Sequence, residues 1–276
     1  MARQIAPPSS ESGRATLRAR IFDPRFLIPL FLALLLVLLW AGLWLTRAPH
    51  LDPEDYLLLT PDSLVKVEAA AMAGDLSAQS ALGAAYLRGR GPVAKNVTKA
   101  VYWFERIASR DEREFRAICA RMQSMRDQRT VPMTRQGAKR LDLEYLQLVD
   151  QKLSFELAFA ALFRIYSGGE GFTYANPELA PKYLRQGADY GFPSAQRRLG
   201  VAYVLGLYGL PKNRSAGLRL LTEAANHGDH RAEYLLGTLY ESGVAVPRNV
   251  EAAKYWFGRA VAYLPDAPAR LKQLSG

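Results

Sequence analysis

The chain has 276 residues, 36 lysines and arginines against 26 acidic residues, and a formal charge of +10. Nearly half of it is apolar, enough for a sizeable core in one large domain or two ordinary ones. The single cysteine, Cys119, excludes an intramolecular disulfide; the basic balance favours acidic partners such as phospholipid headgroups, nucleic acid or an acidic polymer, or leaves a basic surface with no dedicated ligand.

In chain order, residues 1–25 form a basic tail, which ends at the apolar run FLIPLFLALLLVLLWAGLWL, Phe26 to Leu45. The run has 20 uncharged residues, the length that crosses a bilayer core. Pro29 stands near its start, where a helix tolerates proline, and Trp40 and Trp44 stand at its far end, where indoles favour the membrane–water boundary. The run exceeds a signal-peptide core and no convincing small-x-small cleavage site follows, so an uncleaved transmembrane helix over residues 26–46 is expected. Arg14, Arg18, Arg20 and Arg25 precede the span, whereas Arg47 alone follows closely before Asp52, Glu54 and Asp55. The excess of basic residues before the span places the N-terminus in the cytoplasm and everything after it outside, in the periplasm if the host is a Gram-negative bacterium. Residues 47–61 read as a linker, and residues 62–276 as the folded body.

That body repeats itself. The anchor points LGAAY, LFRIY, LGVAY and LGTLY end at Tyr86, Tyr166, Tyr203 and Tyr240, the last three 37 residues apart. Each is followed by glycines that suit a left-handed helix end, then by Asn96, Asn176, Asn213 or Asn249, placed to cap the next helix. Pro177 occupies the expected first-turn position. The second helix pairs a small residue with a large one, Ala100 with Trp103, Ala180 with Tyr183, Gly217 with Leu220 and Ala253 with Trp256. Ala108, Ala188, Ala224 and Ala260 close it. One such helix pair cannot bury its apolar face, but stacked pairs share a continuous core.

The pattern resembles the Sel-one-like repeat, a tetratricopeptide-like family. The closest stretches are AQSALGAAYLRGRGPVAKNVTKAVYWFERIA and AEYLLGTLYESGVAVPRNVEAAKYWFGRA. The chain departs from the family outline at Phe163, in place of glycine, and at Leu220, in place of tryptophan. The resemblance covers roughly 150 residues. It implies an all-α fold, a right-handed α-solenoid of helix-turn-helix repeats, here preceded by the one transmembrane helix expected from the apolar run. It also implies that Tyr86, Tyr166, Tyr203, Tyr240, Trp103, Trp256, Asn96 and Asn249 are structural.

Asp111 to Lys152 fills the gap between the first two anchors and reads as a divergent fifth helix pair, with helical stretches on either side of Thr130 to Thr134. Asp62 to Asp75 reads as a half-repeat cap, and the stretch from Pro265 to Gly276 as a closing helix. The divergent unit carries Arg121, Arg126, Arg129, Arg135, Lys139 and Arg140, candidates for an anionic partner or a solvated face.

Catalytic signals are missing: no HExxH, GxSxG, phosphate loop or dinucleotide fingerprint occurs. The cluster HGDH, His227 to His230, falls on an inter-unit turn and lacks the ligand count of a structural metal site. Ser167 to Phe172, SGGEGF, follows a helix rather than a strand and reads as a turn. The expectation is therefore a scaffold without enzymatic activity, cofactor or metal, binding protein partners in a cell-envelope complex. The resemblance adds assemblies of polysaccharide export, secretion, motility or envelope quality control. An acidic polysaccharide on the basic unit is the alternative. Nucleic acid is disfavoured because the body should lie outside the cytoplasm.

Overall fold

The computed structural model describes residues 59–129, 134–168 and 175–275, all within the unit Leu51–Gly276. The basic tail, the apolar run and the linker up to residue 58 lie outside the described residues. Among the described residues, no helix is long and apolar enough to cross a membrane.

Those residues are helices joined by turns. The first are α1 (Pro61–Met72), α2 (Leu76–Arg88), α3 (Val97–Ala108), α4 (Glu112–Gln128) and α5 (Arg135–Tyr166). Then follow α6 (Leu179–Asp189), α7 (Pro193–Leu205), α8 (Arg214–Asn226), α9 (His230–Ser242), α10 (Val250–Ala260) and α11 (Ala267–Ser275). The helix starts follow side-chain chemistry. Asn96, Asn213 and Asn249 accept backbone N–H groups three residues on, and Asp75 and Asp229 do the same for α2 and α9. In the second repeat the cap comes early: Asn176 accepts from the N–H groups of Glu178 and Leu179, and Pro177 sits in the turn rather than the first helical turn.

The antiparallel pairs α2/α3, α5/α6, α7/α8 and α9/α10 form the repeats, flanked by α1 and α11. The glycine of the LG-x-x-Y anchor has a packing cause. A Cβ on Gly83 would sit 2.7 Å from the Phe104 ring, and one on Gly237 2.8 Å from the Phe257 ring. A fully buried phenylalanine therefore rests on bare backbone at both places. Phe163, the departure from glycine, is itself buried, with the Tyr208 ring edge-on at 5.1 Å.

The divergent unit differs from a free-standing fifth pair. Its second helix does not end near Lys152 but continues as the first helix of the next repeat, so α5 runs unbroken through 32 residues. The C-terminal part of α5 packs against α2 and α3, so the first repeat stacks directly on the second. Helix α4 and the N-terminal half of α5 form a hairpin inserted between the two repeats in sequence, with Phe115, Ile118, Met122 and Met125 buried along α4. The base of the hairpin is aromatic: Phe115 meets Phe155 at 5.4 Å, Tyr190 at 4.6 Å and Phe192 at 5.3 Å between ring centroids.

Candidate interaction surface

Each repeat is fastened by the same local device. The N–H of Asn96, Asn176, Asn213 and Asn249 donates to the carbonyl of Tyr86, Tyr166, Tyr203 and Tyr240 respectively, at 2.7–2.9 Å. The asparagine thus pins the turn through its backbone while its side chain caps the following helix. Tyr86 and Trp103 are buried, whereas Tyr166, Tyr203, Tyr240 and Trp256 are half-buried.

The tyrosine hydroxyls link neighbouring units. Tyr86 donates to Glu68 of α1 at 3.4 Å, and Tyr166 donates to Glu105 of α3 at 2.9 Å. Tyr183 of α6 donates to the same Glu105 oxygen at 3.0 Å, its ring stacked on that of Tyr166 at 5.8 Å. Burial, the hydrogen bond to Glu105 and that carboxylate's charge together push the Tyr166 hydroxyl up to about 12. Tyr183 is raised further, by burial first and then by Glu105. A raised acid favours the neutral form in the fold, so this contribution is complete below the ordinary tyrosine value of about 10 and is lost as pH climbs through the folded value. Phenolate absorbance should therefore show Tyr166 and Tyr183 ionising late, and Glu105→Gln should bring their titration down. An unchanged titration in that variant would refute the role given to Glu105.

Buried polar groups at one repeat position make further links, to α1 in the first repeat and within the repeat itself in the third and fourth. Gln79 donates to the Ala71 carbonyl at 2.9 Å, Gln196 meets His227 at 3.3 Å, and Glu233 holds Arg259 at 2.9 Å and His230 at 3.0 Å. In the second repeat the equivalent of these residues is Phe159, which packs against Tyr190 at 5.1 Å. The polar link gives way to an aromatic one at the repeat that receives the hairpin. Sequence reasoning missed this cluster, although the phenylalanine at a Gln/Glu position was a visible signal.

Half of the basic candidates, Arg121, Arg126 and Arg129, are occupied within the hairpin. Arg121 pairs with Glu144 at 2.8 Å, Arg126 donates to the Tyr145 hydroxyl at 3.0 Å, and Arg129 pairs with Asp142 while covering the Tyr145 ring at 4.9 Å. These contacts close α4 onto α5, so reversing Arg126 and Arg129 would alter the hairpin as well as its charge. Lys139 and Arg140 are exposed on α5; Arg135 begins that helix. The HGDH turn is engaged too. Asp229 caps α9 and pairs with Arg197 at 2.9 Å, and the His230 ring stacks on Tyr263 at 3.4 Å. Among the described residues no group of three potential metal ligands gathers. Cys119 is half-buried and packed against the core.

Two outward-facing tyrosines stand at one repeat position. Tyr102 on α3 and Tyr255 on α10 are 45% and 59% exposed. Each stands edge-on to the neighbouring tryptophan, Trp103 or Trp256, at 5.0 Å. Arg106 covers the Tyr102 ring at 5.7 Å and donates to its hydroxyl at 3.1 Å. Rings held this way offer large contact area with little rotamer freedom left to lose.

A stack of helix pairs fastened alike at each turn, with its polar groups spent on internal links, defines a tetratricopeptide-like helical-repeat protein. The Sel1 repeat model matches residues 76–112, 155–191, 193–229 and 230–262, more than half of the chain, which belongs to the Sel1 repeat family. Proteins built of this repeat generally act as protein-interaction scaffolds. The chain is similar to a Sel1 repeat protein from Oxalobacter formigenes, 34% identical over 43% of this chain and 88% of that one, with a TM-score of 0.38. It is also similar to a protective antigen of uropathogenic Escherichia coli, 24% identical over 72% of this chain and 40% of that one, with a TM-score of 0.37. A chitin synthase regulator SKT5 of Malassezia restricta is 37% identical over 76 residues, 27% of this chain; the chain spans 5% of that relative's length.

Proposed function

We propose that the protein is a non-enzymatic scaffold that collects protein partners at a membrane of the cell envelope. The observation that carries this reading is the pair of exposed, ring-braced tyrosines, Tyr102 and Tyr255, at the same position of the first and last repeats. Aromatic anchors of limited mobility on a rigid repeat body are the kind of group that dominates protein–protein contacts. The apolar run Phe26–Leu45 serves as the anchor, with the N-terminal tail in the cytoplasm and the repeats outside it. An exopolysaccharide, secretion or motility assembly is the setting proposed, and the chitin synthase regulator among the similar proteins accords with an adaptor of this kind.

Co-purification of the full chain from detergent-solubilised membranes tests the reading. A protein partner in stoichiometric amount, reduced about tenfold or more when Tyr102 and Tyr255 are both alanine, is the expected result. Recovery of the chain with no stoichiometric protein would overturn it.

A further inference from the structure

One side of α5, from the inserted hairpin into the second repeat, carries a stripe of exposed leucines, touched at Asp150 by Ser77 of α2. Along α5, Lys139, Leu143, Leu146, Asp150, Leu153 and Leu157 follow one another at alternating steps of four and three residues. That spacing places them on one side of a helix, in the pattern by which helices pair. Leu143, Leu146, Leu153 and Leu157 are 61%, 62%, 54% and 37% exposed. Tyr145, Leu148 and Val149, on another side of α5, are the ones packed inward. A contiguous run of exposed leucines on a helix marks an interaction site.

The charges within the stripe indicate what covers it. Lys139 forms no ion pair among the described residues, and Asp150 takes only a hydroxyl, that of Ser77. In a parallel, in-register pair of α5 helices, lysine would face lysine and aspartate would face aspartate. In an antiparallel pair centred between Glu144 and Tyr145, Leu143 of each copy faces Leu146 of the other. Lys139 of each copy then faces Asp150 of the other, at both ends of the leucine layers. Moving the centre toward Leu148 sets Asp150 against leucine and Lys139 against Leu157, leaving both charges unanswered. The segment from Lys139 to Asp150 is complementary to itself in one arrangement, the isologous contact of a two-fold dimer, with Leu153 and Leu157 lying beyond the paired segment.

We propose that the inserted hairpin is a self-association element, through which two copies of this chain pair by their α5 helices, antiparallel, with Leu143 and Leu146 at the centre and Lys139–Asp150 pairs on either side. The contact involves about three helical turns per copy, Lys139 to Asp150, and so buries less than the roughly 800 Å² per partner of a standard interface. The dimer is accordingly reversible, and concentration controls it.

The test uses the full chain in detergent micelles, with molar mass followed by sedimentation across a range of protein concentration. A monomer–dimer equilibrium is expected. Lys139→Asp or Asp150→Lys alone should weaken it about tenfold, and the two together should restore it to within about threefold of the parent. Circular dichroism checks that each variant keeps its helix content. In a Cys119→Ser background, chains carrying Leu143→Cys and differently tagged chains carrying Leu146→Cys should form mixed disulfides on oxidation, in excess of like-with-like products. A monomer at every concentration, a double variant no stronger than the single ones, or a predominance of like-with-like disulfides would each overturn the proposal. Dimers held by the apolar run Phe26–Leu45 would ignore both charge changes, which is the same negative result.

Discussion

Replacing Phe155 with alanine is expected to destabilise the repeat body by about 3–5 kcal/mol, the usual cost of truncating a fully buried phenylalanine. For a chain of this size that corresponds to a thermal midpoint lower by about 10 °C. Phe155 lies where the hairpin joins the stack, fully buried and in ring contact with Phe115 of α4 and Tyr190 of the second repeat. Removing its ring opens a cavity between three elements that come from different parts of the chain. Because a repeat array passes its stability mainly between neighbours, the loss should be local. Amide exchange should quicken in α4 and the N-terminal half of α5, and much less in α9 and α10. A midpoint unchanged within about 2 °C would mean that the hairpin is not rooted in the repeat core.

The second large effect is expected at Gly217. Its added Cβ in Gly217→Ala would stand 2.7 Å from the Gly200 carbonyl oxygen and from Cγ2 of Val204, and 3.1 Å from the Val204 nitrogen. Two of these are backbone atoms of α7, so no side-chain rotation relieves the clash and α7 must move away from α8. Overpacking of this kind costs about 1–3 kcal/mol, and the rigid neighbour puts Gly217 at the upper end. Gly258 makes a control, since a Cβ there meets nothing within 4 Å and its helix is otherwise ordinary. There alanine should stabilise slightly, by up to about 1 kcal/mol, through helix propensity. Thermal melts of the two variants side by side measure the difference. Equal midpoints would contradict the close approach of α7 and α8.

The repeat was legible in the sequence because its marks act locally. Tyr86 and Asn96, or Tyr203 and Asn213, lie ten residues apart and are joined by one backbone hydrogen bond across a short turn. Asparagine, glycine and alanine each answer a requirement of that turn or of the helix beside it. The hairpin was less legible because its contacts are not local. Arg121, Arg126 and Arg129 find Glu144, Tyr145 and Asp142, which are 23, 19 and 13 residues away across a turn. Pairing arguments limited to one helical turn leave those arginines free on paper. The unbroken α5 was hidden differently. The stretch from Leu148 to Phe159 carries no glycine, proline or capping asparagine, and that lack of punctuation was itself the sign that one helix crosses from the divergent unit into the next repeat. The tyrosine hydroxyls belong with the hairpin in this respect. Glu105 lies 61 residues from Tyr166 and 78 from Tyr183, so only stacking of the repeats brings the three together.

Partner capture in the living cell, with topology read at the same time, tests the scaffold account most directly. A phosphatase that is active only outside the cytoplasm would follow Gly276, and photo-crosslinking amino acids would replace Tyr102 and Tyr255 in turn. The account predicts an active phosphatase and one dominant cross-linked protein, the same from both positions. An inactive phosphatase with no discrete cross-linked protein at either position would contradict it.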